Sequence, residues 1–264
     1  MNQSSTSAAD SGKFSGRVAL VTGGAGAIGG AVAAALVQCG AKVVAADIGL
    51  PADPANCDFG REACTQVHLD VSSKTAISDL VARIAATLGG VDLLVNVAGI
   101  VSFGSAEDLP EEEWDRVLRI NLKGSFLCCQ AAIPNMKRKR FGRIVNIGSV
   151  IGKNGGNARP WVSPAEQARS SNVAYGVSKA GVHAMTSFLA KEVAAFGITV
   201  NAVAPGPIAT PMTTSFPDAL KALIPVGRMG ALNDVVGAIL FLLSAETSFV
   251  TGEVLDVNGG IWCD

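Results

Sequence analysis

The sequence predicts one doubly wound α/β domain, a parallel sheet of about seven strands with helices on both faces. Three observations predict it. Short apolar runs alternate with helical patterns along nearly the whole chain. The runs are continuously apolar, as expected of strands buried on both faces. The first of them stops at a cluster of glycines that opens a helix. A length of 264 residues suits one large domain, and neither an internal repeat nor a long linker divides it.

The elements follow in order. Arg17–Thr22 is the first strand, followed by glycines and an Ala/Val-rich helix that runs to Cys39 and is punctuated by Gly40. Lys42–Asp47 reads as the second strand. Further buried strands are expected at Thr65–Leu69, Val91–Asn96, Arg143–Ile147, Thr199–Val203 and Glu253–Val257. Helices are expected at about 74–88, 111–138, 173–196 and 232–245. Strands alternating with helices in this way give a parallel sheet covered on both sides. Residues 1–13 are Ser/Ala-rich, lack the apolar stretch of a signal peptide, and read as a flexible tail before a domain spanning 14–264. Residues 152–172 carry turn formers without periodicity and read as an inserted loop, a candidate lid over a site. Its Arg159, Pro160, Trp161 and Arg169 are candidates either for a pocket wall and an anion contact or for loop anchors and solvated charges.

Composition narrows the function. The chain is 49% hydrophobic and 16% charged, which suits a packed core, and a formal net charge of −1 gives no field to attract nucleic acid or an anionic membrane. The one basic run, Lys137–Arg140, reads as a solvated helix end favoured by the dipole. No apolar run has the length and freedom from charge of a membrane span. Six cysteines show no metal-ligand spacing and there are only two histidines, so no metal site is expected. Reduced thiols in a cytoplasmic protein are the expectation.

Chemistry begins at Thr22-Gly-Gly-Ala-Gly-Ala-Ile-Gly29, where Gly24, Gly26 and Gly29 fit G-x-G-x-x-G. Such a loop lets backbone approach a pyrophosphate, which then meets the free N–H groups of the helix N-terminus. The loop follows a strand, opens a helix and is followed by Asp47 at the end of the next strand, the context that marks a Rossmann-like dinucleotide site. Asp47 is placed to accept from the adenosine ribose hydroxyls and to repel a 2′-phosphate, so NAD is expected rather than NADP. Neither the loop nor the residues just after Asp47 supply Arg or Lys. Tyr175 and Lys179 lie four apart on an expected helix and share a face. A phenol beside an ammonium is stabilised as the phenolate, and so suits acid/base work on a carbonyl or alcohol. Ser149, just past a strand end, is placed to donate to the substrate oxygen.

These residues resemble the short-chain dehydrogenase/reductase family from about Lys13 to the C-terminus. The resemblance rests on the Thr22–Gly29 loop, Asp70-Val71, Asn96-Val-Ala-Gly99, Asn121, Ser149, Tyr175-Gly-Val-Ser-Lys179 and Pro205-Gly-Pro-Ile-Ala-Thr210. The 3-oxoacyl-thioester reductases are closest in flavour, through Gly142–Ser149 and Gly252–Gly260. The resemblance implies hydride transfer between a nicotinamide cofactor and a ketone or secondary alcohol, with Asn121, Ser149, Tyr175 and Lys179 as the catalytic set. It further implies cofactor contacts from Gly23, Ala25, Gly26, Ala27, Ile28, Asp47, Asp70, Val71, Asn96, Ala98, Gly99, Pro205, Gly206, Ile208 and Thr210, together with Tyr175 and Lys179. Asn121 would hold a water linking Lys179 to solvent, and Ile208 and Thr210 the nicotinamide carboxamide. For Asp70 a helix-cap role is the alternative.

Two departures stand out: Ala27 replaces a glycine common in the family loop, and the 26 positions from Ser149 to Tyr175 are roughly twice the usual spacing. The resemblance implies a homotetramer, and for the oxoacyl reductases NADPH, against the reading of Asp47. A catalytically lapsed nucleotide-binding scaffold is the second hypothesis, but Ser149, Tyr175 and Lys179 are all present. A hydrolase is the third, but the chain has no G-x-S-x-G elbow, and neither His68 nor His183 sits where a triad would place its base.

Overall fold

Seven parallel strands form one sheet in the order β3-β2-β1-β4-β5-β6-β7. The strands are β1 Val18–Thr22, β2 Lys42–Asp47, β3 Cys64–His68, β4 Leu93–Asn96, β5 Gly142–Ile147, β6 Ile198–Pro205 and β7 Val254–Val257. The computed structural model describes residues 12–51, 59, 62–156, 163–170, 172–213 and 218–263. All but two residues of the expected tail thus lie outside the described residues, as do Arg159, Pro160, Trp161 and the Arg169 side chain.

Nine α-helices are assigned among the described residues: α1 Ala27–Gln38, α2 Lys74–Leu88, α3 Glu111–Leu118, α4 Ser125–Lys139, α5 Ile151–Asn154, α6 Pro164–Ser170, α7 Val173–Val193, α8 Asp218–Lys221 and α9 Leu232–Leu243. The period of two along β1 shows how the sheet divides the core. Val18 and Leu20 face the α2, α4 and α7 side, where Ile77, Ile84, Cys128 and Val193 are buried. Ala19 and Val21 face the other side, where Val32 and Leu36 of α1 meet Val235 and Ile239 of α9. Both faces of each central strand are therefore apolar, which is why the runs are continuous.

Register then aligns the carboxyl ends. Thr22 pairs with Ala46 on one side and Asn96 on the other, and Asn96 pairs with Asn146. After β3 the chain crosses back to the far side of β1. The crevice opens between the ends of β1 and β4, where the strand order reverses.

Two expectations need correction. The run read as one helix over 111–138 is divided by a π-turn, Arg119–Gly124, between α3 and α4. Hydropathy periodicity over so long a run does not register one extra residue in a turn. The segment 152–172 is not without helical structure, for it contains most of α5 and all of α6. Ser163 accepts from the Glu166 N–H at 3.1 Å through its side chain, and Pro164 stands at the first helical position. Ser-Pro-x-Glu is a helix start that turn composition alone obscured.

The basic run does end a helix. Arg140 caps α4 with φ +50°, Lys139 reaches the buried Asp92 carboxylate at 2.7 Å, and Lys137 lies over the Phe196 ring. None of the five described cysteines is in a disulfide, no cluster of metal-binding side chains occurs among the described residues, and no described helix is long and apolar enough to cross a membrane.

Candidate active site

Thr22 closes the crevice floor. Its Oγ1 accepts from the N–H groups of Val97 and Ala98 at 3.1 and 3.2 Å, holding the chain after β4 against the end of β1. Gly23 follows with φ +69°, and a Cβ there would lie 2.8 Å from the Ala98 nitrogen. A side chain is thus excluded twice over, by conformation and by the close approach of β4. A Cβ at Gly29 would collide with the Gly23 carbonyl, so α1 can start this close to the strand only with glycine there.

A cleft of about 460 Å³ runs from this floor across the strand ends. Gly23, Gly26, Ala27, Ile28, Asp47, Asp70, Val71, Ala98, Gly99, Tyr175, Lys179 and Thr210 line it. Among the sequence candidates, Ala25, Asn96, Asn121, Ser149, Pro205, Gly206 and Ile208 do not form its lining. Asn96 lies beneath the cleft, where its Nδ2 donates to Asn146 Oδ1 at 2.9 Å. Ala25 stands at its rim, and its N–H donates to Asp47 Oδ2 at 3.1 Å. Asp47 Oδ1 accepts from the Gly49 N–H at 2.8 Å, so one carboxylate ties the glycine loop to the turn after β2.

Asp70 Oδ1 accepts from the Ser72 N–H at 2.8 Å, while Ser73, not Asp70, caps α2 through the Ala76 N–H. Lining residues that the sequence reading missed include Ile48, Leu69, Val101, Ile120 and Pro211. Ile48, Leu69, Ile120 and Pro211 adjoin Asp47, Asp70, Asn121 and Thr210, and Val101 lies two residues after Gly99, which was the available signal.

The reacting end is built from β5, the π-turn and α7. Lys179 is fully inside the protein, and its Nζ donates to the Ile147 carbonyl at 2.7 Å and lies 5.8 Å from the Tyr175 ring centroid. Asn121 is completely buried in the π-turn: its Oδ1 accepts from the Ile100 N–H at 2.8 Å, and its Nδ2 donates to the Ile100 carbonyl and to Ser178 Oγ. A Cβ on Gly99 would lie 3.2 Å from Asn121 Oδ1 and 3.5 Å from Lys179 Nζ. The glycine leaves that space to a ligand. Ser149 hydrogen-bonds to the Tyr175 phenol, and its Oγ accepts from the Ile151 N–H at 3.3 Å. With Oγ held in this way, Ser149 stands behind Tyr175, which lines the cleft together with Lys179 and Asp47.

The electrostatics differ from the sequence expectation. Burial raises the Tyr175 phenol above its ordinary value, and the Ser149 hydrogen bond offsets part of that rise. The expected lowering by a neighbouring ammonium does not dominate, because burial also pushes Lys179 down to about 8. Both groups lose water, and each then favours its neutral form. Burial raises the Cys128 and Cys129 thiols, the latter to about 12, so neither is a nucleophile.

A fold and site of this kind define a dinucleotide-binding oxidoreductase. A family model described as enoyl-(acyl carrier protein) reductase matches residues 23–262, and the chain belongs to the short-chain dehydrogenase/reductase family. It is 37% identical over 255 residues to the 3-oxoacyl-[acyl-carrier-protein] reductase FabG of Escherichia coli K12, covering 94% of this chain and 98% of the relative. It is 38% identical over 254 residues to the (2S)-[(R)-hydroxy(phenyl)methyl]succinyl-CoA dehydrogenase subunit BbsD of Thauera aromatica, covering 92% and 96%. The crystal structure of gox2181 superposes with a TM-score of 0.81 at 35% identity, over 94% of this chain and 97% of that one.

The Lys179 shift has a pH signature. The folded group releases its proton at about 8 and the unfolded one near 10.5. Between those values the unfolded chain binds more protons, so stability rises with pH there and the burial penalty is fully present below about 8. Relative to Lys179→Met, the parent should gain about 3 kcal/mol between pH 7.5 and 10.5, measured by denaturant unfolding. Parallel stability–pH curves for the two proteins would contradict it.

Proposed function

We propose that the protein interconverts a ketone and a secondary alcohol, with NAD preferred over NADP. The observation that carries this reading is the placement of Tyr175 and Lys179 in the wall of a glycine-floored cleft, with Ser149 paired to the Tyr175 phenol. A nicotinamide bound in that cleft supplies or accepts the hydride. The residues of this chain do the rest. Tyr175, protonated by virtue of its burial, delivers a proton to the oxygen of a carbonyl undergoing reduction and takes it back in the other direction. Ser149 donates its hydroxyl hydrogen to the same oxygen, while one of its two lone pairs accepts from the Ile151 N–H. Lys179, lowered by burial to about 8 and so half protonated at that pH, can exchange a proton with the phenol, while Asn121 holds the Ile100 backbone beside it. The glycine loop, Asp70, Val71, Ala98, Gly99 and the Pro205–Thr210 segment hold the dinucleotide in this reading.

A narrower reading has a 3-oxoacyl thioester as the substrate. It is favoured by the activities for which the relatives are named, an acyl-carrier-protein reductase and a CoA-thioester dehydrogenase. A groove of about 870 Å³ between residues 105–108, α5, α6 and the start of α7 could receive the acyl part, with the 152–172 segment acting as its lid. A panel of simple ketones, secondary alcohols and acetoacetyl-CoA with NADH, NADPH, NAD and NADP separates the two readings. Turnover of acetoacetyl-CoA alone supports the thioester, and turnover of none of them overturns both. In this reading the enzyme works in the cytoplasm.

Removing the phenol hydroxyl in Tyr175→Phe should lower kcat by about 10²–10⁴-fold with cofactor affinity close to parental, by steady-state kinetics and cofactor titration. Turnover within a few-fold of the parent would end the Tyr175 assignment. Cofactor choice tests Asp47. Setting a 2′-phosphate against its carboxylate should give NAD at least a tenfold advantage in kcat/KM, about 1.4 kcal/mol, and Asp47→Ala should narrow it. Equal values for the two cofactors would mean that Asp47 does not face the ribose.

A homotetramer completes the proposal. Phe126 on α4 and Phe188 on α7 are 39% and 78% exposed, and β7 is an edge strand. A monomer by light scattering at micromolar concentration would contradict it.

A further inference from the structure

The turn after β5 has a strand beside it on only one side. Gly148 N–H donates to Val203 O at 2.8 Å and Val150 N–H to Pro205 O at 3.0 Å, both in continuation of the β5–β6 ladder. In a parallel sheet the intervening N–H, that of Ser149, points to the other neighbour, β4. No β4 carbonyl is available there. β4 ends at Asn96, which pairs with Asn146, and the chain beyond it swings to Thr22 of β1. The Ser149 N–H instead donates to the Nε2 of His183, at 3.3 Å.

His183 reaches this place because of both elements around it. It follows Tyr175 and Lys179 at steps of four on α7, so all three share one stripe of the helix. On the other side, glycines flank Ser149. A Cβ at Gly148 would collide with the imidazole, and one at Gly152 would lie 3.0 Å from His183 Cε1 and 2.7 Å from the Ala180 nitrogen.

We propose that His183 is a positioning residue, whose imidazole replaces the missing strand carbonyl opposite the Ser149 N–H and so fixes the Ser149 hydroxyl against Tyr175. The inference rests on the carbonyl–alcohol reading above. To accept at Nε2 the ring must carry its hydrogen on Nδ1 and be neutral. The backbone of Ser149 is then held from three directions: by β6 on one edge, by His183 on the other, and through Oγ by the Ile151 N–H. A hydroxyl mispositioned by about 1 Å loses much of its effect on the transition state while leaving binding of the rest of the substrate intact.

The test compares His183→Leu, His183→Asn and His183→Gln with the parent. The side-chain oxygen of Gln reaches the position of Nε2, whereas Asn is polar but too short. Readouts are kcat and KM for the best carbonyl substrate of the panel, the NADH dissociation constant by fluorescence, thermal melting, and the Ser149 amide resonance without cofactor. We expect the Leu and Asn variants to lose about tenfold in kcat with KM and NADH affinity within twofold of parental. The Ser149 amide should move upfield in both. Gln should restore the resonance and most of kcat. If Leu does not fold, Asn carries the same comparison.

Parental kcat with a parental Ser149 amide in Leu or Asn would overturn the proposal and leave the function reading standing. So would a Gln variant that folds and yet is as slow as Asn. A parent that turns over no carbonyl or alcohol would overturn the function reading, and the proposal with it.

Discussion

Everything in the site depends on the reversal of strand order between β1 and β4. To one side of β1 the chain adds β2 and β3, and to the other it adds β4 through β7. The crossover helices leave the two strand ends in opposite directions, so the carboxyl edge cannot close over between them. Thr22 bridges the gap with one hydroxyl that accepts two N–H groups. Glycines at 23 and 29 let α1 and the β4 extension come within contact of that bridge. The cleft is what remains when a parallel sheet is packed on both faces and its strand order turns back.

The candidate site residues are placed by the same geometry. Each stands at or just beyond a carboxyl end, or on the helix that packs against one: Asp47 after β2, Asn96 to Gly99 after β4, Ser149 after β5, Thr210 after β6. α7 brings Tyr175 and Lys179 across the end of β5, where Lys179 bonds the Ile147 carbonyl. A lysine so deep in the protein is costly to keep charged, and its depression to about 8 is the mark of that cost. The π-turn at Arg119–Gly124 belongs to the same construction, for it carries Asn121 into hydrogen-bonding reach of Ile100 and Ser178.

Much of this was legible in the sequence, because continuous apolar runs and glycine punctuation are local signals. The expected Arg143–Ile147 strand lies inside β5, and Thr65–Leu69 is displaced by one residue from β3. Tyr175, Lys179 and Ser149 could be singled out because four-residue spacing and strand-end position are also local. What escaped depends on tertiary partners. Helical periodicity reads straight through a π-turn. The capping of α6 by Ser163 was written in Ser-Pro-x-Glu but hidden among turn formers. The phenol moved opposite to the expected direction, since spacing reveals a neighbouring amine but not the loss of water that both groups share. In the sequence His183 has no local partner that marks it, and it sits where no triad would place a base. Its contact with Ser149, 34 residues away, exists only once β4 stops short of the turn.

In the proposed reaction this cleft passes hydride to a carbon whose oxygen is protonated by Tyr175. The most direct test follows an isotope: a carbonyl substrate is reduced with NADH deuterated at the transferable nicotinamide position, and the alcohol is examined by mass spectrometry and NMR. The expected alcohol carries one deuterium on the carbinol carbon, none lost to water, delivered to a single face. Alcohol carrying hydrogen from solvent at that carbon, or no transfer to any carbonyl offered, would contradict it.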